Sequence, residues 1–270
     1  MAFIKYAVVG IIYCIGDLQF LYGQAKMLTI YLKELKISDS WWGGEFVSIQ
    51  AIIFDLDGTL LDRDASLLQF IDYQYEARNA AIGHIPKEIF TKKYVEYDAG
   101  GYVWKDEVYK RLIDEFTIDL PFDDLLIEYT QEFFRFCIPF PYMEKTLNEL
   151  KKKGYKIGMI TNGRTAFRNG NIDALRIRHF FDEILISEEE GIKKPDSEIF
   201  KRAAERLGVE RANCVFVGDH LENDVGASIA AGMQGVWKRN KEEKHSEAEY
   251  IVDCLSEIPL FIEKKLKGSD

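Results

Sequence analysis

Apolar positions along the chain change their period three times. Ala2 to Ile15 is apolar apart from Lys5 and is ended by Gly16-Asp17. A short β-branched run, Ile49 to Phe54, then predicts a buried parallel strand, stopped just past it by Gly58. From about Asp64 to Cys137 the period is helical. Leu67, Leu68, Phe70, Ile71 and Tyr75 open the first apolar face, and Ile89, Phe90 and Tyr94 follow Pro86. Val103, Val108, Leu112, Ile113 and Phe116 follow Gly100-Gly101, and a fourth face runs from Leu125 to Phe134 after Pro121. Pro139 and Pro141 punctuate the end of this helical segment.

Beyond it, helix and strand alternate. Helices are predicted near Met143–Lys152, Phe167–Leu175, Glu198–Leu207 and Asp224–Ala231. They precede strands at Tyr155–Ile160, Glu183–Ile186, Cys214–Val217 and Gly235–Trp237, and Tyr250–Val252 is a last short strand. This alternation predicts an α/β fold: a Rossmann-like parallel sheet with helices on both faces, and a helical unit inserted after the first strand.

Composition narrows the function classes. A chain of 270 residues with a formal charge of −10 argues against a general nucleic-acid binder. The cysteines Cys14, Cys137, Cys214 and Cys254 are scattered, with no Cys-x-x-Cys pair, and read as reduced structural thiols of a cytoplasmic protein. The four histidines lack metal-ligand spacing, and His220 reads as a solvated loop residue.

The candidate chemistry gathers at strand ends, where open α/β sheets bind ligands. Asp55 and Asp57 share one face because side chains two apart on a strand point the same way. Two neighbouring carboxylates repel and suit a hard divalent cation such as Mg²⁺. Thr161-Asn162-Gly163 ends the second strand and suits phosphate oxygens. Lys194 precedes Pro195, while Asp219 and Asp224 lie in an acidic loop after Val215-Phe216-Val217-Gly218.

Together, Asp55-Leu56-Asp57-Gly58-Thr59, Thr161, Lys194-Pro195 and Gly218-Asp219…Asp224 resemble the four motifs of the haloacid dehalogenase (HAD) superfamily. The inserted helices resemble its C1 cap. The resemblance covers about Val47 to Val252 and implies a Mg²⁺-dependent phosphatase. Asp55 is then the nucleophile and Asp57 the general acid and base; Thr161, Asn162 and Lys194 bind phosphate. Asp55, Asp57 (by its carbonyl) and Asp219 hold the metal, with Asp224 behind them. It implies residues 47–63 and 140–257 as core and 64–139 as cap.

Arg63, Asp64, Asp98, Tyr102, Trp104 and Lys105 are candidate cap contacts to substrate. Packing is the competing reading for Tyr102 and Trp104, and solvation for Lys105. The stretch from Thr161 to Asp196 resembles the pyrimidine 5′-nucleotidase and phosphoglycolate phosphatase-like branch of the superfamily. It departs from the nucleotidases at Arg168 and Asn171, where Gln and Lys are expected. The expected substrate is a nucleoside monophosphate, sugar phosphate or phosphoglycolate, and the expected assembly a monomer or homodimer. The alternatives are a phosphomutase of the β-phosphoglucomutase kind and a non-catalytic regulatory protein of the same fold.

Residues 1–46 precede everything this resemblance covers. Gly43-Gly44-Glu45 is encoded by purine-rich codons able to spell a ribosome-binding site, with Val47 a candidate GTG start. One reading makes residues 1–46 upstream DNA read in frame; the other makes them a membrane-surface anchor or docking segment. Apart from that anchor, no membrane contact is expected.

Overall fold

The computed structural model describes residues 48–240 and 248–266. Residues 1–46, including both readings of that segment and Cys14, lie outside the described residues. Strand β1 (Ala51–Phe54) is followed by four longer helices, α1 (Arg63–Ala77), α2 (Lys87–Asp98), α3 (Lys105–Phe116) and α4 (Phe122–Glu132), with a single helical turn at Asn79–Ile82 between the first two. The chain then runs α5 (Met143–Lys152), β2 (Lys156–Thr161), α6 (Thr165–Ala174), β3 (Glu183–Ile186), α7 (Ser197–Leu207), β4 (Cys214–Gly218), β5 (Gln234–Lys238), β6 (Ile251–Val252) and α8 (Ile258–Leu266). All six strands are parallel, in the order β3-β2-β1-β4-β5-β6.

The alternation within β1 explains its central place. Ile52 and Phe54 face one layer with Leu147, Leu150, Ile258 and Ile262, whereas Ala51 and Ile53 face the other with Ile199, Phe200, Ala203 and Leu207. Both faces are covered, so a continuous apolar run suits the strand better than an alternating one.

The four inserted helices enclose a core of their own, in which Phe70, Tyr94, Tyr109, Leu112 and Tyr129 are buried. Aromatic residues dominate it, so its polar tips must be satisfied internally. Tyr94 donates to Tyr109 at 2.9 Å, and Tyr109 donates to Gln74 at 2.8 Å. The two crossings between this unit and the sheet are bonded to each other. Asp62 N donates to the Ile138 carbonyl at 2.8 Å, and Phe140 N to that of Leu60 at 2.9 Å. Asp62 also caps α1, accepting from Ala65 N at 3.1 Å.

One predicted helix differs at its start. The stretch expected to be helical from Asp224 forms a π-helical turn over Leu221–Gly226 and only then a single α-turn, Ala227–Ala230. His220 is the cause: its Nδ1 accepts from the main-chain N–H of Glu222 at 3.1 Å and of Asn223 at 3.0 Å. It is therefore a capping residue rather than a freely solvated one. No helix among the described residues is long and apolar enough to cross a membrane.

Candidate active site

A cavity of about 730 Å³ opens at the carboxyl ends of β1, β2 and β4. Asp55, Asp57, Thr161, Asn162, Lys194, Asp219 and Asp224, read from separate stretches of sequence, all line it. β1 ends at Phe54, and Asp55 N donates to the Val217 carbonyl at 2.9 Å, which extends the pairing to the first carboxylate. Gly58 then turns at φ +72°, and a Cβ there would lie 2.0 Å from Asp219 Oδ2. Glycine is required on both counts. A Cβ at Gly218 would likewise lie 2.4 Å from Asp224.

Lys194 is the hub. Its Nζ donates to Asp55 Oδ1 and to Asp224 Oδ1, each at 2.6 Å, and it is only 5% exposed. Burial works against its charge, but the two carboxylates outweigh burial and hold its pKa above the ordinary range. The Asn162 side chain clamps the Lys194 main chain, donating to its carbonyl and accepting from its N–H, both at 2.9 Å. That amide therefore positions Lys194. Lys193, its neighbour, is exposed.

The acidic groups are in tension. Burial, joined by the charges of Asp224 and Asp57, outweighs Lys194 and pushes Asp55 up to about 7. Burial and the charges of Asp55 and Asp224 push Asp219 up to about 8. Asp55, Asp219 and Asp224 can each place an oxygen within 4.8 Å of the others. Asp57 stands apart: Arg168 Nη1 lies 2.6 Å from its Oδ2, and its buried Oδ1 has no hydrogen-bond partner.

The candidate cap contacts divide. Arg63, Asp64 and Tyr102 line the cavity. Trp104 and Lys105 do not. Trp104 stands edge-on to Tyr129 and Phe167, with the Arg164 guanidinium 4.2 Å from its ring centroid. Lys105 is 2% exposed, is paired with Asp98, and lies 5.0 Å from the Tyr129 ring centroid. Burial lowers its pKa to about 8. It is a buried strut, not a solvated charge. Asp98 in turn accepts from Arg63 Nη2 at 2.8 Å through both oxygens, so it braces the inserted unit rather than meeting a ligand.

Sequence reasoning missed Lys238 and Asn240 at the end of β5. Both line the cavity and donate to the Gly58 carbonyl, at 3.1 and 2.8 Å, and Asn240 also reaches Asp219 Oδ2 at 3.0 Å. Burial lowers Lys238 to about 8. Their one signal was position at a strand's carboxyl end, which a lysine followed by arginine does not advertise.

Residues 49–232 match the family model for haloacid dehalogenase-like hydrolases. A glyceraldehyde 3-phosphate phosphatase from Methanothermobacter thermautotrophicus is 30% identical over 226 residues, 78% of this chain and 98% of that protein. Pyrimidine 5′-nucleotidase YjjG from Escherichia coli is 37% identical over 126 residues, 45% of this chain and 56% of that one. Among solved structures, a HAD phosphatase from Thermococcus onnurineus superposes with a TM-score of 0.58 at 27% identity, covering 82% of this chain and 99% of that one. The chain belongs to the haloacid dehalogenase-like hydrolase family. Within that family it is an enzyme of the phosphatase class.

Proposed function

We propose that the chain hydrolyses a small phosphate monoester through an aspartyl-phosphate on Asp55, with Mg²⁺ as its cofactor. The observation that carries this reading is the buried ion-paired chain Asp55–Lys194–Asp224, with Asp219 and Asp57 beside it at one sheet edge. The donor set fits the metal. Three carboxylates that can converge within 4.8 Å, two of them pushed up by burial and mutual repulsion, offer oxygen ligands only, the donor set a hard divalent cation prefers. Asp55, Asp219 and the Asp57 carbonyl would hold Mg²⁺, and Asp224 would act through Lys194. When bound, the ion supplies charge neutralisation for the phosphoryl oxygens.

An Asp55 oxygen attacks phosphorus, and the bond to the leaving alcohol breaks. Asp57 gives that alcohol its proton. It then takes a proton from water, which attacks the same phosphorus, releases phosphate and restores Asp55. Lys194 and Thr161 hold the phosphoryl oxygens. Residues 64–139 act in this reading as the cap over a core of 47–63 and 140–257. The free thiols of Cys137, Cys214 and Cys254 support a cytoplasmic setting.

Phosphate release from p-nitrophenyl phosphate tests the reading, with Mg²⁺ and with EDTA, beside Asp55→Asn. Turnover should require the metal and fall by at least about 10⁴-fold in the variant. Turnover that survives EDTA or Asp55→Asn sinks it.

A further inference from the structure

Resting on that phosphatase reading, we infer that Arg168, with Arg63 beside it, forms the leaving-group subsite and takes a carboxylate carried close to the ester oxygen. Arg168 stands in the first turn of α6. Its Nε donates to the Asn162 carbonyl at 2.8 Å and its Nη1 meets Asp57 Oδ2 at 2.6 Å. Its Nη2 makes no hydrogen bond among the described residues. Arg63 approaches the same Asp57 oxygen, with Nε 4.0 Å away, and its Nη1 has no hydrogen-bond partner. Both arginines line the cavity.

The backbone is shaped around both guanidinium groups. Gly163 sits at φ +146°, and a Cβ there would lie 2.4 Å from Arg168 Nε. Gly101 sits at φ +91°, and a Cβ there would lie 2.9 Å from the Arg63 guanidinium. Two unrelated loops thus leave out a side chain where an arginine lies, which a solvated surface charge does not require.

Chemistry and reach identify the ligand. Arg63 and Arg168 both meet Asp57, and Arg63 also meets Asp98 and, at 3.7 Å, Asp64; even so, Arg63 Nη1 and Arg168 Nη2 keep no hydrogen-bond partner among the described residues. An arginine fork matches a carboxylate through paired N–H donors. Asp57 must sit roughly 2.6–3.2 Å from the leaving oxygen to act on it. Arg168 already touches that carboxylate, so its free Nη2 reaches groups only a few bonds beyond the ester oxygen. A nucleobase lies a ribose away from its ester oxygen. A short acidic alcohol places its carboxylate within reach.

The test is binding, so it does not depend on turnover. Affinities of the Asp55→Asn protein for 2-phosphoglycolate and ethyl phosphate, which exchange a carboxylate for a methyl group, are measured by calorimetry with Mg²⁺ present. The acid should bind at least about 10-fold more tightly, as expected for a hydrogen bond to a charged group. Adding Arg168→Gln should remove most of that preference, and Arg168→Lys should retain part of it. If Arg168 served only to place Asp57, both ligands would weaken alike and their ratio would hold. Equal affinities, a preference that survives Arg168→Gln, or no binding of either ligand would each overturn the subsite. Hydrolysis of p-nitrophenyl phosphate by the unsubstituted enzyme, followed in parallel, reports separately whether the phosphatase reading stands.

Discussion

Lys194 shows how a single residue joins stability to chemistry. Two buried carboxylates lean on its ammonium group, so Lys194→Met leaves both uncompensated. Removing one partner of a buried ion pair costs about 3–5 kcal/mol. Asp55 takes up a proton near pH 7, so the loss should be larger at pH 8 than at pH 5.5. Chemical denaturation at the two pH values checks this, and an equal loss at both would count against it. Asp55 and Asp219 were legible in the sequence because each follows an apolar run that reads as a strand, whereas Lys194 and Asp224 were legible only through the family motifs they resemble. Lys105 and Lys238 were not. A lysine reads as a solvated charge unless its partners are known, and Asp98 and Gly58 become their neighbours only after the chain has folded. Arg168 was visible only as a departure from a relative's pattern; its contact with Asp57 is what gives the departure meaning.

At the scale of elements, strand ends matter more than strand lengths. β3 falls on the residues that periodicity marks, Glu183–Ile186, because its run is short and bounded by turns on both sides. The helix expected from Asp224 begins differently because His220 caps the turn with its ring, a contact no hydrophobic pattern encodes. The turn after β1 tolerates little change. Gly58→Ala adds a methyl against Asp219 at a positive φ, a conformation that costs an L-residue roughly 1–2 kcal/mol by itself. We expect this variant to weaken activation by Mg²⁺, with the half-activating concentration at least about 10-fold higher, as expected when the groups orienting a metal ligand are disturbed. An unchanged activation curve would contradict the placement of Asp219. In the inserted unit, Asp98→Asn leaves Arg63 and Lys105 facing each other without the charge that joins them. Its thermal midpoint should fall, and one matching the parent would show that the strut carries no weight.

For the whole molecule, the sheet and the inserted helices bring together at one edge acids that oppose each other. In the metal-free protein Asp55 and Asp219 titrate near 7 and 8, far above the ordinary aspartate value of 3.8. The folded state therefore binds more protons than the unfolded state between those limits. Stability from these groups is full at low pH and is lost as pH rises through 7 to 8. A metal needs the ionised forms, so Mg²⁺ should raise the thermal midpoint more at pH 7.5 than at pH 5. A metal-induced shift that is the same at both pH values would separate these acids from the metal site. The central claim is that Asp55 carries the phosphoryl group, and trapping that species is its most direct test. Asp57→Asn removes the base for the second step but not the nucleophile, and an aryl phosphate needs little help from an acid to leave. After mixing this variant with p-nitrophenyl phosphate and Mg²⁺, mass spectrometry should find one phosphoryl group on the peptide containing Asp55, absent when Asp55 is also changed to Asn. A phosphoryl group on another peptide, or none on a variant that still releases p-nitrophenol, would contradict the account.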